Sequence, residues 1–119
     1  MRNSVLTVER RRLDAPIPLL SLSRLPPPKG CTQNYAAWLE WAARSLKAQT
    51  RARLCGPVDL IIRMDERRGG ARASHAIEAA EAALTAAGIL LRSDAAQLRS
   101  VRLVWMPIAG MTLEIARAR

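Results

Sequence analysis

Glu78 and Glu81 stand three residues apart in a run whose apolar spacing predicts a helix, and Asp94 follows downstream. Carboxylates three apart share a helix face. With Asp94 they could hold one oxygen-loving, octahedral cation such as magnesium, which would activate water for hydrolysis. The competing reading makes both glutamates ordinary solvated helix residues, favoured there by propensity. His75 is the only histidine, and its imidazole suits general-base work near neutral pH. A lone histidine in a helix's first turn is more often structural or exposed. Cys31 and Cys55 form no C-x-x-C pair and have no histidine cluster beside them. Two reduced thiols in a cytoplasmic protein are expected, and no zinc site.

A second kind of chemistry comes from the cations. The chain has 119 residues and a net charge of +9, and every basic residue except Lys29 and Lys47 is arginine. Arginine's planar fork matches phosphate oxygens, so a polyanionic partner is the leading inference. Lys29, Arg67, Arg68 and Arg72 form one candidate set, and Arg44, Lys47 and Arg51 recur along a predicted helix as a second. The blander alternative is the arginine and alanine bias of a GC-rich coding sequence, with the helix set an ordinary solvated face. Glu40 is the only acid in that helix, which favours contact with phosphate. Trp38, Trp41 and Trp105 could stack on bases. Trp38 and Trp105 fall on apparent core faces and are read as packing, while Trp41 is open between the two.

The elements that must position these groups follow from periodicity. A hydrophobic fraction of 50% supports one core, and the length fits one domain. Residues 1–15 contain Arg10-Arg11-Arg12 and read as a basic arm or an edge strand, with residues 16–119 as the domain. Ile17–Ser23 alternates as a strand, and Pro26-Pro27-Pro28 then forces extended chain. Thr32 or Asn34 could cap a helix running to Arg51 or Arg53, with Tyr35, Trp38, Leu39, Ala42 and Leu46 as its buried stripe. Val58–Met64 reads as a strand. Ser74–Ala87 reads as a helix with Ile77, Ala80, Leu84 and Ala87 inward, stopped by Gly88. Ser100–Pro107 and Met111–Ala118 read as a hairpin around Ile108-Ala109-Gly110. The expected fold class is α+β: a small mixed β-sheet with two helices packed on it. No secretory leader or membrane span is expected.

Met64-Asp65-Glu66-Arg67-Arg68, the run Ala83–Leu91 written A-L-T-x-A-G-x-x-L, and Asp94–Leu98 written D-A-x-Q-L share an order and spacing. Together with Arg102–Pro107 and Leu113-Glu114-Ile115 they resemble the RusA-type Holliday-junction resolvases, small dimeric nucleases that cut four-way DNA with magnesium. The resemblance covers about Ile17 to Ala118. In that family a D-x-D-N-x-x-K signature opens the second helix. Aligned on Leu84 and Gly88, its named positions fall here on Arg72, Ser74, His75 and Glu78. The family's acidic pair after the helix falls on Asp94-Ala95, two residues late. The scaffold is similar, and the metal-binding acids are replaced.

Coulomb's law makes that replacement severe. Two unit charges about 4 Å apart interact by about 4 kcal/mol at an effective dielectric near 20. An arginine turned into a magnesium site would oppose a doubly charged ion. The resemblance therefore implies a DNA-binding protein without nuclease activity. It would be a homodimer with two positive surfaces, acting on branched DNA or as a transcriptional regulator, for instance in a prophage-like element. It would need no cofactor, magnesium entering only with an active resolvase using Glu78, Glu81 and Asp94. The third possibility is a protein-interaction module contacting polymerase or replication machinery, with the charge incidental.

Overall fold

The computed structural model describes residues 17–27, 32–65, 73–91 and 97–117. The arm at residues 1–15 lies outside them. Four strands and two helices follow in the order β1 (Leu20–Leu22), α1 (Thr32–Gln49), β2 (Val58–Asp65), α2 (Ala73–Ala86), β3 (Leu98–Met106) and β4 (Met111–Arg117). The strands make one mixed sheet, ordered β1-β4-β2-β3. This is the α+β class with two helices packed on the sheet.

Each element follows from its side-chain period. In β2, Val58, Leu60, Ile62 and Met64 are buried and alternate with half-buried Asp59, Ile61 and Arg63. That is the pattern of a strand covered on one face. Leu20 and Leu22 of β1 and Met111, Leu113 and Ile115 of β4 join the same buried layer. Helix α1 closes over it with Trp38, Ala42, Ala43 and Leu46, while Tyr35 and Leu39 are half-buried. Helix α2 contributes Ala76, Ala79, Ala80, Ala83 and Leu84. Its buried stripe is rotated from the expected one, leaving Ile77 and Ala87 half-buried at the margin. A stripe this rich in alanine lets α2 approach its neighbours closely.

Gln97 joins the far end. Its side chain is buried, yet its Nε2 donates to the Leu54 carbonyl at 2.5 Å and its Oε1 accepts from Leu91 N–H at 2.9 Å. Both halves of the amide are satisfied, so its burial carries no orphaned polar group. Gly88 ends α2 at a φ of 80°, the left-handed stop that the sequence suggests.

The expected hairpin is not formed. β3 and β4 lie on opposite sides of β2, with β3 parallel to it and β4 antiparallel. Residues 107–110 instead cross the end of β2, where Asp65 N–H donates to the Gly110 carbonyl at 3.1 Å. The crossing is short but sufficient. It must span two strand spacings, about 10 Å, and a few extended residues at about 3.3 Å each reach that far. Two smaller corrections concern ends. The first strand is only Leu20–Leu22, and α1 stops at Gln49 rather than Arg51 or Arg53.

Candidate nucleic-acid interface

β1 and β2 are both antiparallel to β4, and β3 is parallel to β2, so β1, β2 and β3 all end at one edge of the sheet. Both helices begin where a strand has just ended, so their first turns face that edge too. In α/β arrangements ligands gather beyond the carboxyl ends of strands. In the sequence, segments 28–31 and 66–72 fall between a strand and the helix that follows it. They contain Lys29, Arg67, Arg68 and Arg72, which lie outside the described residues, as does Asp94.

Around the first turns of the helices sits an aromatic corner. Trp38 is buried, and its Nε1 donates to the Arg24 carbonyl at 3.0 Å. Tyr35 stacks on Trp38 with centroids 6.0 Å apart and rings inclined by 27°. The Tyr35 ring also lies 6.0 Å from that of His75, tilted by 46°. The Arg24 guanidinium sits 5.2 Å from the centre of the half-buried Trp41 ring, a cation–π distance. Burial raises the Tyr35 hydroxyl above its ordinary pKa, and the nearby Glu78 charge adds to that.

His75 stands at this corner, anchored to the backbone. Its Nε2 lies 2.8 Å from the Pro27 carbonyl. A carbonyl only accepts, so Nε2 carries the proton and donates. Nε2 is thereby committed to the backbone, and Nδ1 carries the ring's remaining lone pair. Glu78 is exposed one turn later, and Glu81 is half-buried. Among the described residues no three His, Cys, Asp or Glu side chains are placed to share a metal ion.

The second cationic set is elsewhere. Arg44, Lys47 and Arg51 are all exposed, and none of them is in an ion pair among the described residues. Arg44 is twelve residues beyond Thr32, about 18 Å along the axis at the α-helical rise. This set therefore lies well away from the first turn of α1. Arg51 already lies past the helix end at Gln49, and Arg53, also exposed, follows it.

The uncovered face of the sheet carries charge of a different sort. Arg63 pairs with Glu114 at 3.1 Å, and Arg99 with Asp59 at 2.7 Å. The Ser100 hydroxyl donates to Asp59 at 2.6 Å. That hydrogen bond and then Arg99 hold the Asp59 carboxyl below its usual pKa. Arg102 is exposed on the same face.

Sequence reasoning places Trp38 correctly and Trp105 incorrectly. Trp105 points to the helix side of the sheet but is 38% exposed, because β3 is an edge strand. Arg24 and Tyr35 join the corner without having been expected there. Their sequence signal is modest: Tyr35 opens the apolar stripe of α1, and Arg24 lies just before the proline run. A scan against models of known protein families finds no match to this chain, and a search of curated proteins finds no significant match.

Proposed function

We propose that this protein binds DNA on a RusA-like scaffold without cutting it, engaging branched DNA such as a four-way junction. The observation that carries this reading is the exposed set Arg44, Lys47 and Arg51, unpaired among the described residues of a chain with net charge +9. Guanidinium and ammonium groups on α1 and just past its end can each displace a counterion from a phosphate. The loss of nuclease activity is supported by the residues that stand at the family's signature positions, Arg72, Ser74 and Glu78, none of which restores the aspartates. His75, tied to Pro27, links the first turn of α2 to the proline run that precedes α1.

The test compares labelled four-way junction with linear duplex of matching sequence, in magnesium, by native gel and then by denaturing gel. Retardation of the junction at lower protein concentration, with strands intact, is the expected result. Equal retardation of both would remove the branched-DNA specificity and point to an operator-type regulator. Cleavage would revive the active-resolvase alternative.

The helix set has its own signature. Replacing Arg44, Lys47 and Arg51 together by glutamine should flatten the slope of log K against log salt by about 2.7, at about 0.9 for each phosphate no longer neutralised. An unchanged slope would show that these residues do not meet DNA.

A further inference from the structure

Trp41 differs from the other two tryptophans in what surrounds its ring. Trp38 is buried and donates to the Arg24 carbonyl, and Trp105 stands on an outer strand. Trp41 is half-buried on α1, beside β1. The helix is pinned to that strand at two points. Trp38 bonds Arg24 just past the end of β1, and the Gln49 amide bonds the N–H and the carbonyl of Ser21, each at 2.7 Å.

Cations flank the ring. The Arg24 guanidinium lies over it, 5.2 Å from its centre. Arg44, three residues on, is exposed on the adjoining helix face. Neither arginine is in an ion pair among the described residues, although Glu40 is one turn before Arg44. One turn to either side of Trp41 stand Ala37 and Ser45, side chains too short to overhang the ring.

We propose that Trp41 is a stacking platform for one unpaired base of a DNA strand, with Arg24 and Arg44 holding the phosphates beside it. An aromatic face between cations suits a single strand, because bases stack on the ring while arginines track the backbone. A duplex arm offers phosphates but no free base face, so the site selects unpaired nucleotides. A base inserted between Arg24 and the ring needs about 3.5 Å on each side, more than the 5.2 Å there allows. Arg24 therefore leaves the ring as the base arrives. Its backbone stays fixed through the Trp38 bond, while its exposed side chain is free to turn. A cation over a partly exposed ring is a weak contact, and a phosphate of the incoming strand replaces it. The phosphate part of this site rests on the DNA-binding reading above; the base part is separate from it.

The test is fluorescence anisotropy of the full-length protein with labelled oligothymidylate of about 15 nucleotides. The comparison is an abasic strand of equal length, which keeps the phosphates and has no bases. The parent protein should bind oligothymidylate at least about fivefold more tightly, with tryptophan fluorescence quenched by that strand alone. Trp41→Leu should erase the difference, Trp41→Phe should keep part of it, and Trp105→Leu should keep all of it. Arg24→Gln should keep the difference but flatten the salt slope by about 0.7, the loss of one phosphate. Equal binding of both strands by the parent overturns the stacking site and leaves phosphate binding standing. That comparison uses no variant, so misfolding cannot produce it. A base-dependent difference that follows Trp105 instead of Trp41 also overturns the site. Failure to bind either strand overturns it too, and the junction assay then decides by itself whether duplex DNA is bound.

Discussion

The two edges of the sheet show that hydrophobicity alone does not close a small domain. β1 is three residues long and β3 is nine, yet the shorter strand is the better sealed. Leu20 and Leu22 are fully buried, and Gln49 meets both backbone groups that Ser21 turns outward. β3 has the larger apolar inventory but exposes Trp105. The difference lies in what supplies hydrogen-bond partners to the outward backbone. A single side-chain amide serves the one outward residue of β1, whereas β3 has no strand on its outer side among the described residues.

Gly110→Ala should break the sealed edge most severely. Gly110 has a φ of 75°, and a Cβ there would run into the Leu22 carbonyl and crowd Ser23. The left-handed conformation alone costs a non-glycine residue about 1–2 kcal/mol, and the collision is with backbone that cannot rotate away. A loss of at least about 2 kcal/mol in urea unfolding is expected. A change near zero would mean that the crossing segment is not held against β1.

Gln49→Ala should act more weakly. It deletes two hydrogen bonds to Ser21, but at an exposed edge water takes their place, so about 1 kcal/mol is expected. Gln49→Glu sharpens the point: a carboxylate still accepts from Ser21 N–H but faces the Ser21 carbonyl with no proton to donate. It should be at least as destabilising as alanine at neutral pH and recover in acid. Hydrogen exchange at the Ser21 amide would show whether the edge itself has opened.

The β2–β3 seam should respond to acid instead. Asp59 accepts from Ser100 and Arg99, and its folded pKa is depressed. A depressed carboxylate stabilises above its unfolded pKa, and that contribution disappears as pH falls through the folded value. Its exposure to solvent makes the contribution small and salt-sensitive. Asp59→Asn should therefore flatten the acid limb of the stability curve while leaving the alkaline side unchanged. An acid limb identical to that of the parent would mean that the seam owes nothing to this carboxylate.

Much of this organisation is readable in the sequence, and the failures share a cause. Val58 to Met64 and Tyr35 to Leu46 carry local periodicities, so strand and helix can be placed from them, and Gly88 marks a helix end that the structure keeps. Which strands pair is not a local property. Arg102–Trp105 and Leu113–Ile115 alternate in the same way whether they face each other or flank β2, and the short link suggests the first. Trp105 fails for the same reason: alternation assigns a side chain to a face but not a strand to an edge. Gln49 is invisible because a glutamine in a last helical turn looks like a solvated residue. Of the candidate interface, the cations are legible one by one. The distance of Arg44 and Lys47 from the start of α1 follows only once the helix axis is known.

The finest comparison between the sealed and open sides can be made optically at Tyr35. It is the only tyrosine, so absorbance near 295 nm during alkaline titration reports this hydroxyl alone. Its pKa is raised above 10.0, first by burial and then by the Glu78 charge. Both causes favour the neutral phenol in the folded state. Between the unfolded and folded values the native protein therefore binds more protons, and stability falls as pH rises through that window. Glu78→Gln removes the smaller cause, so the midpoint should move part of the way back toward 10.0. A complete return would mean that the corner around Trp38 and His75 is wet and that only charge had shifted the phenol. No movement would mean that burial alone is responsible and that Glu78 points away from the ring.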